Sequence, residues 1–142
     1  MVLAGCGPEG VWLDNNCTTK EQDIILIAID KLHDALDEEI IVVEGTGTPD
    51  PTGDGGRYYI SCDHTYRPNS IRGWWSVWGI SISAKNIYSD DQFLGVAMHE
   101  LGHYAAWNGD HLGEDHKKGA IMYLRAHGTE YSDADIALMK GE

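Results

Sequence analysis

His99-Glu100-Leu101-Gly102-His103 stands inside an apolar segment that opens at Ser89-Asp90-Asp91-Gln92 and carries Phe93, Leu94, Val96, Ala97, Met98 and Leu101. A serine followed three residues later by glutamine is a helix-start signal, and the apolar residues behind it fit a buried helix. Four residues turn an α-helix by roughly 400°, so His99 and His103 project from one face a single turn apart. Two neutral imidazoles in that position share one zinc ion at ~2.0–2.1 Å. Glu100 points about 100° away. From there it reaches a water on the metal rather than the metal itself, and can take that water's proton. The five residues thus supply two ligands and a base. The competing reading is a histidine pair that is merely buried or solvated; the apolar segment before it and the histidines after it weigh against that.

A catalytic zinc needs a third protein ligand and an open position. The candidates downstream are His111, His116, Asp110, Glu114 and, more remotely, His127 and Glu130. His111 follows the Asn108-Gly109 break, where left-handed residues should end the helix and a sharp turn can bring the chain back to the metal. His116 lies in the charged run Glu114-Asp115-His116-Lys117-Lys118, which reads as a solvated loop. His111 is therefore the expected third ligand, with His116 the alternative.

Working outward, Thr18-Thr19-Lys20-Glu21 carries a capping box. Ile25, Ile29, Leu32 and Leu36 then recur at helical spacing while Asp23, Asp30, Asp34 and Asp37 take other positions. This predicts an amphipathic helix over about 19–38. Ile40-Ile41-Val42-Val43 reads as a short buried strand, ended by the Gly/Thr/Pro/Asp loop of 45–56. A second strand is expected from Arg57 to Cys62 and a third within Ile71 to Ser83, where Ile80-Ser81-Ile82-Ser83 alternates strictly. Ser132-Asp133-Ala134-Asp135 caps a last short helix with Ile136, Leu138 and Met139. The first residues read as a loose, turn-rich start. The order predicts one α+β (α/β-like) domain over 1–142: a twisted mixed sheet of short strands, a long N-terminal helix, a helix carrying the histidine pair, and a short C-terminal helix.

Composition bounds the function. The 142 residues hold 10 Lys+Arg against 23 Asp+Glu, a formal charge of -13. Such a field repels nucleic acid and anionic membrane surfaces, so neither is expected as the main partner. Hydrophobic residues make up 42%, enough for a core, and no apolar run approaches the ~20 residues a membrane helix needs. Three cysteines, Cys6, Cys17 and Cys62, leave at least one unpaired within the chain. Leu3-Ala4-Gly5-Cys6 reads like the end of a bacterial lipoprotein signal, although the charged and apolar regions that should precede it are missing. On that reading residues 1–10 are a flexible or lipid-anchored segment, Cys6 is the anchor, and Cys17 and Cys62 are left to pair in an oxidising compartment.

The motif, a following histidine, and then Gly119-Ala120-Ile121-Met122-Tyr123 resemble the metzincin metalloproteases, and within them the matrixins. That family extends the motif to H-E-x-x-H-x-x-G-x-x-H and places a methionine-containing turn beneath the metal. The resemblance implies a zincin-like fold, with His99, His103 and His111 as zinc ligands, Glu100 as general base and Met122 as the turn methionine. Tyr131-Ser132-Asp133-Ala134-Asp135-Ile136 resembles the capped helix that closes matrixin catalytic domains, and Ile80–Ser83 lies where the family places its substrate-binding edge strand. The sequence departs from the family at Ala106 and Gly109, where the glycine and third histidine would fall. Choosing His111 requires two extra residues, with Asn108 taking over the turn. A carboxylate ligand such as Glu130 is the competing geometry. Trp74, Trp75 and Trp78 line a cleft or pack on the sheet, at least one of them by packing. Asp50 and Asp54 suggest calcium by family analogy, but without a complete set of oxygen ligands a solvated loop is the better reading.

The expectation is a zinc-dependent peptidase, an extracellular or envelope lipoprotein monomer, that hydrolyses peptide bonds through a zinc-activated water. The rival is a zinc-stabilised, non-catalytic envelope protein that binds a partner or inhibits a protease.

Overall fold

Thr18 starts the first helix as its spacing predicts. Its hydroxyl accepts the Glu21 N–H at 3.1 Å, and the Glu21 carboxylate accepts the Thr18 N–H at 2.8 Å, so two otherwise orphaned donors are satisfied reciprocally. Helix α1 (Thr19–Leu36) buries Ile25, Ala28, Ile29, Leu32 and Leu36, and ends at Asp37 in the left-handed region. The computed structural model describes residues 10–49, 57–66, 72–113, 120–122 and 128–142.

Five strands form one mixed sheet: β1 (Gly10–Asp14), β2 (Val42–Gly47), β3 (Tyr58–Asp63), β4 (Gly73–Ser76) and β5 (Gly79–Ser83), in the order β2-β1-β3-β5-β4. The first four in that order run parallel, and β4 lies antiparallel along the outer edge of β5. Parallel neighbours need a crossover, and α1 supplies the one from β1 to β2. Val11, Leu13, Ile60, Ile80 and Ile82 of the sheet join the apolar faces of α1 and of helix α2 (Asp90–Ala106) in one core. Helix α3 (Asp133–Lys140) adds Met139 to it. Cys17, at the entry to α1, is bonded to Cys62 of β3, so the disulfide ties the first helix to the middle of the sheet.

The mixed α/β architecture is the expected one; four local expectations are not met. The loose start contains β1, a strand too short for its Val11/Leu13 alternation to stand out beside flanking turn residues. Ile40 and Ile41 are buried but precede the strand; β2 begins at Val42 and runs into the segment read as a loop. The segment to Ser83 holds two strands, β4 and β5, folded back on each other at Val77-Trp78. As a result Ile80–Ser83 is an interior strand, bonded on both sides, and among the described residues the edge on this side of the sheet is β4 with Trp74 and Trp75. Strict alternation marks a strand with two different faces, not a strand at an edge. Finally, the left-handed residue ending α2 is Trp107 (φ 56°), one position before Asn108.

Candidate metal centre

Helix α2 is buried on nearly all sides, from Phe93 to Ala105. Its start is fixed by the Ser89 hydroxyl, which accepts the Gln92 N–H at 3.1 Å. His99 and His103 therefore sit on a helix that packing holds rigidly. After the left-handed Trp107, the chain doubles back and brings His111 to the same place. His99 Nε2 lies 3.2 Å from His111 Nε2 and 3.1 Å from His103 Nε2. The three side chains form a group able to hold one metal ion.

The other ring nitrogens explain why. His99 Nδ1 lies 2.6 Å from the Ile121 carbonyl oxygen, and His103 Nδ1 lies 3.0 Å from that of Asn108. A carbonyl only accepts, so in both neutral rings Nδ1 carries the proton and Nε2 presents a bare lone pair. Two lone pairs 3.1 Å apart repel unless a cation lies between them. Tetrahedral zinc with ~2.05 Å bonds sets its nitrogens about 3.3 Å apart, close to the observed spacing. Burial holds both rings neutral at pH 7, lowering His99 to about 4 and His103 to about 3, and the neighbouring imidazoles push the same way. His111 is also lowered by burial, but its side chain reaches the exposed mouth of the site.

Glu100 is buried beside this group. Desolvation raises it to about 8, so its carboxylate binds a proton far more strongly than one in water. Its Oε2 borders β4: a Cβ added to Gly73 would lie 3.0 Å from it. Trp75 packs edge-on against Trp107 at 5.3 Å and lies 6.2 Å from the His103 ring, so it packs as expected of at least one tryptophan. Trp78 is 82% exposed at the hairpin tip.

Met122 and Ile121 form a fully buried turn. The Met122 side chain lies against Gly102, the residue before His103. The Ile121 carbonyl holds His99, and the Met122 carbonyl accepts the Leu112 N–H at 2.9 Å, next to His111. The turn is itself held by Asp135, whose carboxylate accepts the Ile121 and Met122 N–H groups at 2.9 and 2.8 Å. In the sequence, Ser132 to Asp135 signals a helix cap only. The cap is present, with reciprocal bonds between Ser132 and Asp135, but one carboxylate does both tasks. The Asn108 carbonyl and Gly73 were also missed. Backbone carbonyls carry no sequence signal, and a glycine's role depends on what approaches it.

Glu130 does not join the histidines. It pairs with Lys31 of α1 and its side chain is largely exposed, which removes the carboxylate-ligand alternative based on it. Asp110 lies outside the metal-holding group among the described residues. His116, Glu114, His127, Asp50, Asp54 and Cys6 lie outside the described residues.

The sequence matches no family model and no curated protein. The structure does match. It superposes on archaemetzincin from Methanopyrus kandleri with a TM-score of 0.64 over 97% of this chain and 96% of that one, at 10% identity. The two chains share a fold. At that identity the likeness concerns the backbone alone, and it agrees with the zincin-like architecture expected from the motif.

Proposed function

We propose that this chain is a zinc-dependent peptidase of metzincin type. The observation that carries the proposal is the convergence of three imidazoles, two of which, His99 and His103, face each other with Nε2 lone pairs that repel without a cation between them. The fold likeness to a protein named as a metzincin supports it, and points to a branch other than the matrixins. In the proposed site His99, His103 and His111 hold the ion, the first two oriented by the Ile121 and Asn108 carbonyls. Zinc, when bound, supplies Lewis acidity toward a water and a substrate carbonyl. Glu100, buried and strongly basic, takes the water's proton and returns it to the leaving amine. The outer side of β4, the last strand of the sheet among the described residues, is where an extended peptide would pair as an added strand. Ser76 is held there from the sheet side by the Tyr58 hydroxyl, which donates to its carbonyl at 2.9 Å.

The proposal includes action outside the cytoplasm as a monomer, free or anchored through Cys6. The Cys17–Cys62 bond supports the compartment, since disulfides persist where thiols are not kept reduced.

X-ray absorption on the zinc-loaded chain tests the coordination. Three imidazoles with one exchangeable light ligand are expected. A closed shell of four protein ligands, with His116 as the fourth, would instead favour the non-catalytic envelope protein.

A further inference from the structure

A succession of hydrogen bonds leads from His99 through one peptide group to Asp135. His99 Nδ1–H donates to the Ile121 carbonyl oxygen at 2.6 Å, and the N–H of the same peptide group, that of Met122, donates to Asp135 Oδ1 at 2.8 Å. Asp135 is fully buried. Its second oxygen accepts the Ile121 N–H at 2.9 Å and the Ser132 N–H at 2.8 Å, so the carboxylate is fixed in orientation by α3 and the turn together. Hydrogen bonds at the two ends of one peptide group polarise each other: a negative acceptor on the N–H makes the carbonyl a better acceptor. A better acceptor at Nδ1 holds the ring more firmly and strengthens electron donation from Nε2.

We propose that Asp135 is a positioning residue for the metal centre, acting on His99 through the Ile121–Met122 peptide group. The proposal rests on the zinc-peptidase reading for its consequence, but the relay is a property of the chain alone. It assigns to α3 a role beyond closing the fold. The arrangement is a carboxylate–histidine pair with a peptide group inserted between the two.

Asp135→Asn tests it. The amide keeps one acceptor oxygen. That oxygen is best placed toward Ile121 and Ser132, where two N–H groups converge, which turns the amide NH₂ toward the Met122 N–H and cuts the relay. Zinc affinity, measured by competition with a chromophoric chelator, is expected to fall 10- to 100-fold. In the NMR spectrum of the metal-free protein, the His99 Nδ1–H resonance is expected to move upfield. Ser132→Ala is the control: it removes the hydroxyl that accepts the Asp135 N–H and leaves the carboxylate bonds in place. It should lower the melting temperature and leave zinc affinity within about twofold, as expected when only a helix cap is lost. Wild-type zinc affinity in a folded Asp135→Asn variant, or equal loss of affinity in Ser132→Ala, would overturn the proposal. Should Asp135→Asn fail to fold, a through-hydrogen-bond coupling between the Met122 amide nitrogen and the Asp135 carboxyl carbon, measured in the wild-type chain, supports it; absence of that coupling overturns it. Wild-type protein that binds no zinc would end the peptidase reading, while the His99 resonance still decides the relay.

Discussion

Gly102 and Met122 occupy adjoining space: a Cβ added to Gly102 would overlap the Met122 sulfur and come within 3.0 Å of its terminal methyl. The glycine between the two helix histidines is therefore there because the methionine turn packs against the helix at that point. Met122 is fully buried, so it has little room to retreat. Gly102→Ala is expected to cost ~1–3 kcal/mol, the usual penalty for overpacking a core, and to weaken zinc binding as well, since the turn that holds His99 must shift. Chemical denaturation and zinc titration of the variant measure both effects.

His111 differs from the other two histidines in being near solvent, on a segment held to the turn by the Leu112–Met122 bond. Removing it leaves two oriented ligands on α2. His111→Ala should weaken zinc by about 100-fold or more while leaving the fold intact, since loss of a direct ligand exceeds the 10- to 100-fold typical of outer-shell changes. Retention of wild-type zinc affinity would move the third ligand elsewhere.

Glu100 makes the stability of the metal-free protein depend on pH. Its folded value of about 8 lies above the ordinary 4.5, because burial favours the protonated form. The resulting stability is fully present below pH 4.5 and is lost as pH rises to about 8. His99 and His103 act in the opposite sense: lowered by burial from 6.5 to about 4 and about 3, they cost stability as pH falls below 6.5. Glu100→Gln removes the first effect alone. Chelator-treated variant and wild type should therefore melt alike below pH 4.5, with the variant several degrees more stable at pH 8. Zinc should narrow the gap, because a nearby cation favours the carboxylate.

Gly73 gives the base its room. A Cβ there would stand 3.0 Å from Glu100 Oε2, 3.0 Å from Val96 Cγ1 and 3.2 Å from the Ser81 carbonyl oxygen. Val96 and the strand backbone cannot yield as easily as the Glu100 side chain, so the carboxylate would be displaced. Gly73→Ala is expected to keep its zinc and lose roughly tenfold or more in kcat, the scale of a small misplacement of a reacting group.

The Cys17–Cys62 bond closes a segment with a sequence separation of 45. A loop of that length is worth about 4 kcal/mol through the restricted unfolded chain. Reduction, or Cys17→Ser with Cys62→Ser, should lower stability by up to that amount without changing the zinc stoichiometry, as measured by denaturation and metal analysis.

The helices were legible because their starts are local chemistry. Thr18, Ser89 and Ser132 each cap the helix they announce. The metal-binding face was legible because a four-residue spacing fixes geometry within one helix. The sheet edge was not. Whether Ile80–Ser83 or Gly73–Ser76 lies outermost depends on which strand pairs with β3, a long-range choice that alternation does not encode. The same holds for the turn at Ile121-Met122: the residues were visible, but the carbonyl that holds His99 and the carboxylate that holds the turn become apparent only in three dimensions.

The most direct measurement is peptide cleavage by the zinc-loaded chain beside its Glu100→Gln variant, with zinc content determined on the same samples. The expected result is chelator-sensitive cleavage by the wild type, and a loss of about 10²- to 10⁴-fold in the variant at unchanged zinc content, the range contributed by a positioned general base. Equal cleavage by the two, or a fully zinc-loaded wild type that cleaves no peptide, would contradict a peptidase whose base is Glu100.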